Sequence, residues 1–94
     1  RPAGQKWASQ ILQQWRVPDL KAAAFISAIS SDDLSNIIVI HQFVQVLFPN
    51  IPPADYIHVE IRAFEERSPW QLVQCGEASL VRKYLAYHVF GGGW

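Results

Sequence analysis

A single cysteine rules out an internal disulfide, so the fold of these 94 residues must be held by packing alone. Methionine is absent, and nothing at Arg1 has the form of a start, a signal peptide or a cleavage site. The chain therefore reads as a piece of something longer. Charge is scarce: 17% of residues are Asp, Glu, Lys or Arg, against about 25% in ordinary soluble domains. Eight cations balance eight anions, for a net charge of zero with histidine neutral. That balance argues against a domain whose main task is gripping phosphates across a broad basic face. No apolar run reaches the ~20 residues of a membrane span. The longest, 37–40 with 43–48, is broken by His41, Gln42 and Gln45 and stopped by Pro49.

What is present is apolar. Half of the residues are hydrophobic and 13% are aromatic, which excludes a disordered tail, since such chains lack the apolar surface to offset ordering entropy. The length allows one domain and no barrel or two-domain nucleotide-binding fold. A small domain has a large surface for its volume, so the shortage of charge must fall on the outside. Part of that outside is expected to be covered by a partner or by a second copy. From the single thiol the chain is expected to work inside the cell, cytoplasmic or nuclear.

Periodicity predicts helices. Over 5–16, Trp7, Ile11 and Trp15 recur every fourth residue and form one stripe, with Trp7 and Trp15 expected in the core. Val17-Pro18 breaks this helix, because a residue before proline avoids the α region. A second helix is expected over 19–29, its alanines at 23 and 24 suggesting a close crossing. Ser30 and Ser31, followed by Asp32 and Asp33, mark a helix start: a hydroxyl to cap and carboxylates at the positive end of the dipole. The helix that follows, over 32–48, is apolar around most of its circumference, with Ser35, Gln42 and Gln45 on the remainder. It should be central and buried on two sides, and Pro49 ends it.

Residues 54–67 are ambiguous. Ile57, Val59 and Ile61 alternate with polar residues as in a half-buried strand, whereas Ile57, Ile61 and Phe64 also fit a helical stripe. A strand here would need a partner within 37–47, which has no period of two, so helix is the expectation and a hairpin of 37–47 with 56–64 the alternative. Ser68-Pro69 starts a short helix to Cys75, with Gly76 as its left-handed exit. The last helix, over 77–90, has Leu80, Val81, Tyr84, Leu85 and His88 on one face and Ser79, Arg82, Lys83 and Ala86 opposite. The glycines at 91–93 then leave Trp94 on a flexible tail. The expected fold is all-α: one compact five- or six-helix domain over 1–90, built around 32–48, with a tail at 91–94.

No catalytic constellation is legible. Cys75 with His41, His58 or His88 would supply a thiol and a base, but Cys75 precedes a helix-ending glycine instead of opening a helix, and a small core thiol is the expected role. The histidines are isolated and lack metal-ligand spacing. His58-Val59-Glu60 matches the first half of a zinc-deaminase pattern, and the required P-C-x-x-C is absent. Asp32-Asp33 and Glu65-Glu66 are adjacent pairs pointing about 100° apart on a helix, so neither shares a face for acid/base work. No cofactor or metal is expected. His41, at the edge of the central apolar arc, would need a hydrogen-bond partner if buried.

The aromatic inventory carries the functional expectation. Four Trp and three Tyr are amphipathic rings of the kind enriched at interface hot spots. The chain is therefore expected to be a non-catalytic interaction or assembly domain, binding a protein partner or another copy of itself. Trp70, Tyr84, Tyr87 and Trp94 are the candidate contacts, with Arg82 and Lys83 steering an acidic partner. The alternative is a nucleic-acid-associated domain using Arg62, Arg67, Arg82 and Lys83.

Overall fold

The longest element begins where the sequence sets a hydroxyl ahead of two carboxylates. In the computed structural model, which describes residues 3–91 with side chains from Lys6 onward, Ser30 Oγ accepts the Asp33 N–H at 3.1 Å. Asp32 and Asp33 fill the first turn of the helix Ser31–Leu47, where their charge meets the positive end of the helix dipole. This is α3. Around it lie α1 (Ala3–Gln14), α2 (Asp19–Ala28), α4 (Pro53–Ile57), α5 (Pro69–Gln74) and α6 (Ala78–Val89), with a 3-10 turn at Arg62–Phe64. The described residues form an all-α fold with no strand, only a single bridge between Ile61 and Arg67.

α3 is central because it is apolar on two sides. It packs against α1 along one side and α6 along the other, and touches α4. Ile37, Ile40 and Val44 are shut away from solvent, each worth roughly 1.5–3 kcal/mol by transfer. Ser35, Gln42 and Gln45 are exposed, as the arc predicts. Arg82 meets Asn36 and Phe90 meets Phe43, so α3 and α6 run parallel, joined by the long crossover that carries α4, the 3-10 turn and α5. α2 packs on α1, and α5 on α6.

An aromatic core sits beneath. Trp15 is fully buried and meets Trp70 edge-on, ring centres 6.3 Å apart. Phe25 also meets Trp70 edge-on, at 5.3 Å. The Trp15 indole N–H donates to His41 Nδ1 at 3.2 Å, so the buried histidine has the partner it needs. His58 Nε2–H donates to the Trp15 carbonyl at 2.7 Å, tying the end of α4 to the end of α1. Tyr56 stacks on Phe48 at 5.2 Å. Burial first, and then the neighbouring Tyr84, push its phenol well above the usual value.

Several expectations are corrected. Trp7 is 57% exposed and not a core residue. The buried stripe of α1 is Ala8, Ile11, Leu12 and Trp15, spaced i, i+3, i+4, i+7, which turns Trp7 to the edge. In α2 it is Ala22 that is buried with Ile26, while Ala23 and Ala24 face outward and Leu20 is exposed. The helix expected over 54–67 is only α4; beyond it the chain folds back in a tight loop. There Ile61 N–H donates to the Arg67 carbonyl at 3.1 Å, and the 3-10 turn carries Phe64 into the core. Glu65 and Glu66 both take left-handed φ, 57° and 65°, at the tip of this loop. The alternative hairpin is excluded because 37–47 lies within α3. On α6 the buried face holds Val81 and Leu85 as expected, but Ala86 is buried with them and Leu80 and His88 are exposed. Cys75 is exposed and not a core thiol; it caps α5, with its side chain outside the packed face.

Candidate functional site

The parallel run of α3 and α6 leaves an open groove along one side of their contact. It has a volume of about 820 Å³. α6 lines it with Ser79, Arg82, Lys83, Ala86 and Tyr87, and Phe90 closes the end, while α3 contributes Asn36 and Phe43. The α6 residues repeat at three- and four-residue intervals, a helical stripe distinct from the one that Val81 and Leu85 bury in the core. The stripe changes character along its length. Arg82 and Lys83 sit at the end nearer the N-termini of both helices. Ala86, Tyr87, Phe43 and Phe90 make the other end apolar, with Phe43 and Phe90 edge-on at 6.1 Å.

Arg82 is fixed in place. Its Nη1 donates to Asn36 Oδ1 at 3.0 Å, and Asn36 Nδ2 in turn reaches Asp33 Oδ1 at 3.5 Å. Asn36 is buried, so its amide both satisfies itself and aims the guanidinium. One donated hydrogen bond leaves four of the five guanidinium N–H groups for other acceptors. Among the described residues neither Arg82 nor Lys83 forms an ion pair; the single one found joins Arg67 and Glu77 at 3.7 Å.

A second, smaller groove of about 230 Å³ lies on the other side of α3, between it and α1. Trp7, Gln10 and Gln14 face Ile38, Gln42 and Gln45 across it, and His41 forms part of its floor. Burial lowers the His41 pKa, and the indole donor at Nδ1 requires the neutral ring. Between the grooves runs the outward ridge of α3, where Val46 is 64% exposed.

The structure sorts the sequence-predicted contacts into two groups. Arg82, Lys83 and Tyr87 come together in the α3–α6 groove, and Tyr87 is 57% exposed. Trp70 does not belong to any surface: at 7% exposure it is a core ring between Trp15 and Phe25, because the first turn of α5 faces inward. Tyr84 is half-buried and occupied, edge-on to Phe64 at 4.8 Å and to His88 at 4.6 Å. Trp94 and the tail beyond Gly91 lie outside the described residues. Of the residues weighed for phosphate contact, Arg67 is held by Glu77 and by the Phe64 carbonyl, and neither it nor Arg62 lines the groove.

Sequence reasoning missed Phe43, Asn36, Ala86 and Phe90. The signal was present in the 79, 82, 83, 86 spacing, which reads equally as a solvent side or as the wall of a groove. Only the position of α3 decides between them. Among the described residues no group of three or more His, Cys, Asp or Glu is placed to hold a metal ion, and no helix is long and apolar enough to cross a membrane. Comparison of the chain with models of known protein families, with curated proteins and with solved structures finds no match.

Proposed function

We propose that this chain is a non-catalytic protein-interaction or assembly domain whose contact surface is the face formed by α1, α3 and α6. The observation that carries the reading is the makeup of that face. Trp7, Val46, Tyr87 and Phe90 are all more than half exposed along it, and the polar groups between them are the amides of Gln10, Gln42 and Gln45. Large exposed apolar side chains along two neighbouring grooves, with neutral amides beside them, favour an interface over an ordinary solvated surface. Within the α3–α6 groove the charged groups are Arg82 and Lys83, which suits steering and orientation of a partner.

Site-specific photocrosslinking tests this. A benzoylphenylalanine at Val46 or Tyr87 is expected to yield discrete protein adducts in cells. The same group at Leu20, 88% exposed on α2, is expected to yield none. Adduct size and mass against concentration then tell a second copy from a different protein. Equal yields at all three positions, or adducts to nucleic acid alone, would overturn the reading.

A further inference from the structure

We infer that the α3–α6 groove receives an acidic amphipathic helix of a protein partner, its apolar side on Phe43, Ala86 and Tyr87 and its carboxylates at Arg82 and Lys83. This deepens the interaction reading above and rests on it. Three features of the groove select this occupant. The first is charge: the residues that line the groove include two cations and no carboxylate. A basic segment would meet repulsion there, and a neutral one would leave Arg82 and Lys83 uncompensated as water is displaced. The second is shape. Two parallel helices with a continuous three-and-four stripe between them form the seat that a third helix packs into, ridge against groove. Ala86, small and 9% exposed, lets a backbone approach the floor. The third is length: from Ser79 to Phe90 the wall spans roughly 16 Å, three helical turns. An extended strand would need a sheet edge to pair its backbone, and the described residues contain no strand.

The division along the groove sets the pattern of the ligand. Two apolar side chains one turn apart would rest between Phe43 and Tyr87. An Asp or Glu one to two turns away would reach Arg82, which Asn36 holds ready at 3.0 Å. A preformed guanidinium loses less freedom on pairing than a mobile one, so this cation selects orientation as well as sign.

The probe is a synthetic amphipathic helix of ~15 residues with Leu at i, i+3, i+4 and i+7 and Glu on its flanks, compared with the same peptide carrying Lys for Glu. Amide chemical shifts of the isotope-labelled chain report binding at peptide concentrations up to about 1 mM. The expected result is movement of the Phe43, Arg82 and Tyr87 amides with the acidic peptide, and affinity for the basic one at least about tenfold lower. The double variant Arg82→Glu/Lys83→Glu should reverse that preference. Tyr87→Ala should weaken binding with an unchanged Tm, which separates loss of contact from loss of fold.

Equal binding of both peptides overturns the acidic occupant and leaves the interaction face standing. So does a mass that rises with concentration and is blocked by Tyr87→Ala, with neither peptide bound, since the occupant is then a second copy. A thymidine oligonucleotide moving the same amides, with affinity falling steeply in salt, overturns it in favour of phosphate. No response of α3 and α6 to either peptide, at constant mass, overturns the inference and removes support from the broader reading.

Discussion

His41 occupies a position where one proton changes a hydrogen bond in the core. Its Nδ1 accepts from an indole N–H, a group that can only donate. A protonated ring carries N–H on both nitrogens and has nothing to offer Trp15. Burial also disfavours the charged ring, holding its pKa below the ordinary 6.5. The folded state therefore binds a proton less readily than the unfolded chain. This contribution to stability is complete above pH 6.5 and is lost as pH falls from there toward the lowered folded value, by at most about 1.4 kcal/mol per pH unit. His41→Leu should cost about 1–3 kcal/mol at pH 7, from the orphaned indole donor and the altered packing. Urea melts of the two proteins from pH 7.5 to 5 should show the gap closing with acidity. A gap independent of pH would mean that His41 does not change protonation on unfolding.

At the scale of elements, helix ends decide where the chain turns. Ser68 Oγ accepts the Gln71 N–H at 3.2 Å, while Gln71 Oε1 accepts the Ser68 N–H at 2.8 Å. This reciprocal pair starts α5 and thereby sets the Trp70 ring against Trp15. Ser68→Ala should lower stability by about 1 kcal/mol, and Gln71→Ala by less, both measured by thermal unfolding. Start signals of this type, at Ser30 and Ser68, are legible from the sequence because they need only neighbouring atoms, and α3 and α5 begin where they place them. Segment 58–67 is not legible in this way. Its two periodicities are each half true: Ile61 makes a single strand-like bridge to Arg67, and Phe64 reaches the core by a 3-10 turn. The loop closes through backbone bonds to residues several positions away and through His58 gripping Trp15, at a sequence separation of 43. The same limit applies to the groove. Arg82, Lys83 and Tyr87 could be chosen by residue type, whereas Phe43 and Asn36 join them only because α3 and α6 run side by side.

For the molecule as a whole, the sparse charge of the chain resolves into a pattern of surface. Ionic groups gather at helix starts and on the 58–67 loop, and the outward ridge of α3 beyond its first turn is left without any. Val46 on that ridge and Tyr87 on α6 remain more than half exposed in the fold, so they contribute less to folding than core side chains do. Val46→Glu with Tyr87→Glu should therefore leave stability within about 0.5 kcal/mol of the parent, a change of roughly 4 °C or less in Tm. The crosslinked adducts expected at this face should disappear in the same variant, with the reporter moved to Gln42. A large drop in Tm would instead mean that these side chains serve the core. The edge-on contact of Trp15 with Trp70, 6.3 Å between centres, has an optical consequence as well. Two indoles at that distance and a fixed tilt couple their electronic transitions, so the folded chain should give a paired positive and negative band in circular dichroism. Because Trp15 follows the first helix and Trp70 lies in the first turn of the fifth, that couplet reads the packing of these two distant parts of the chain without any added label.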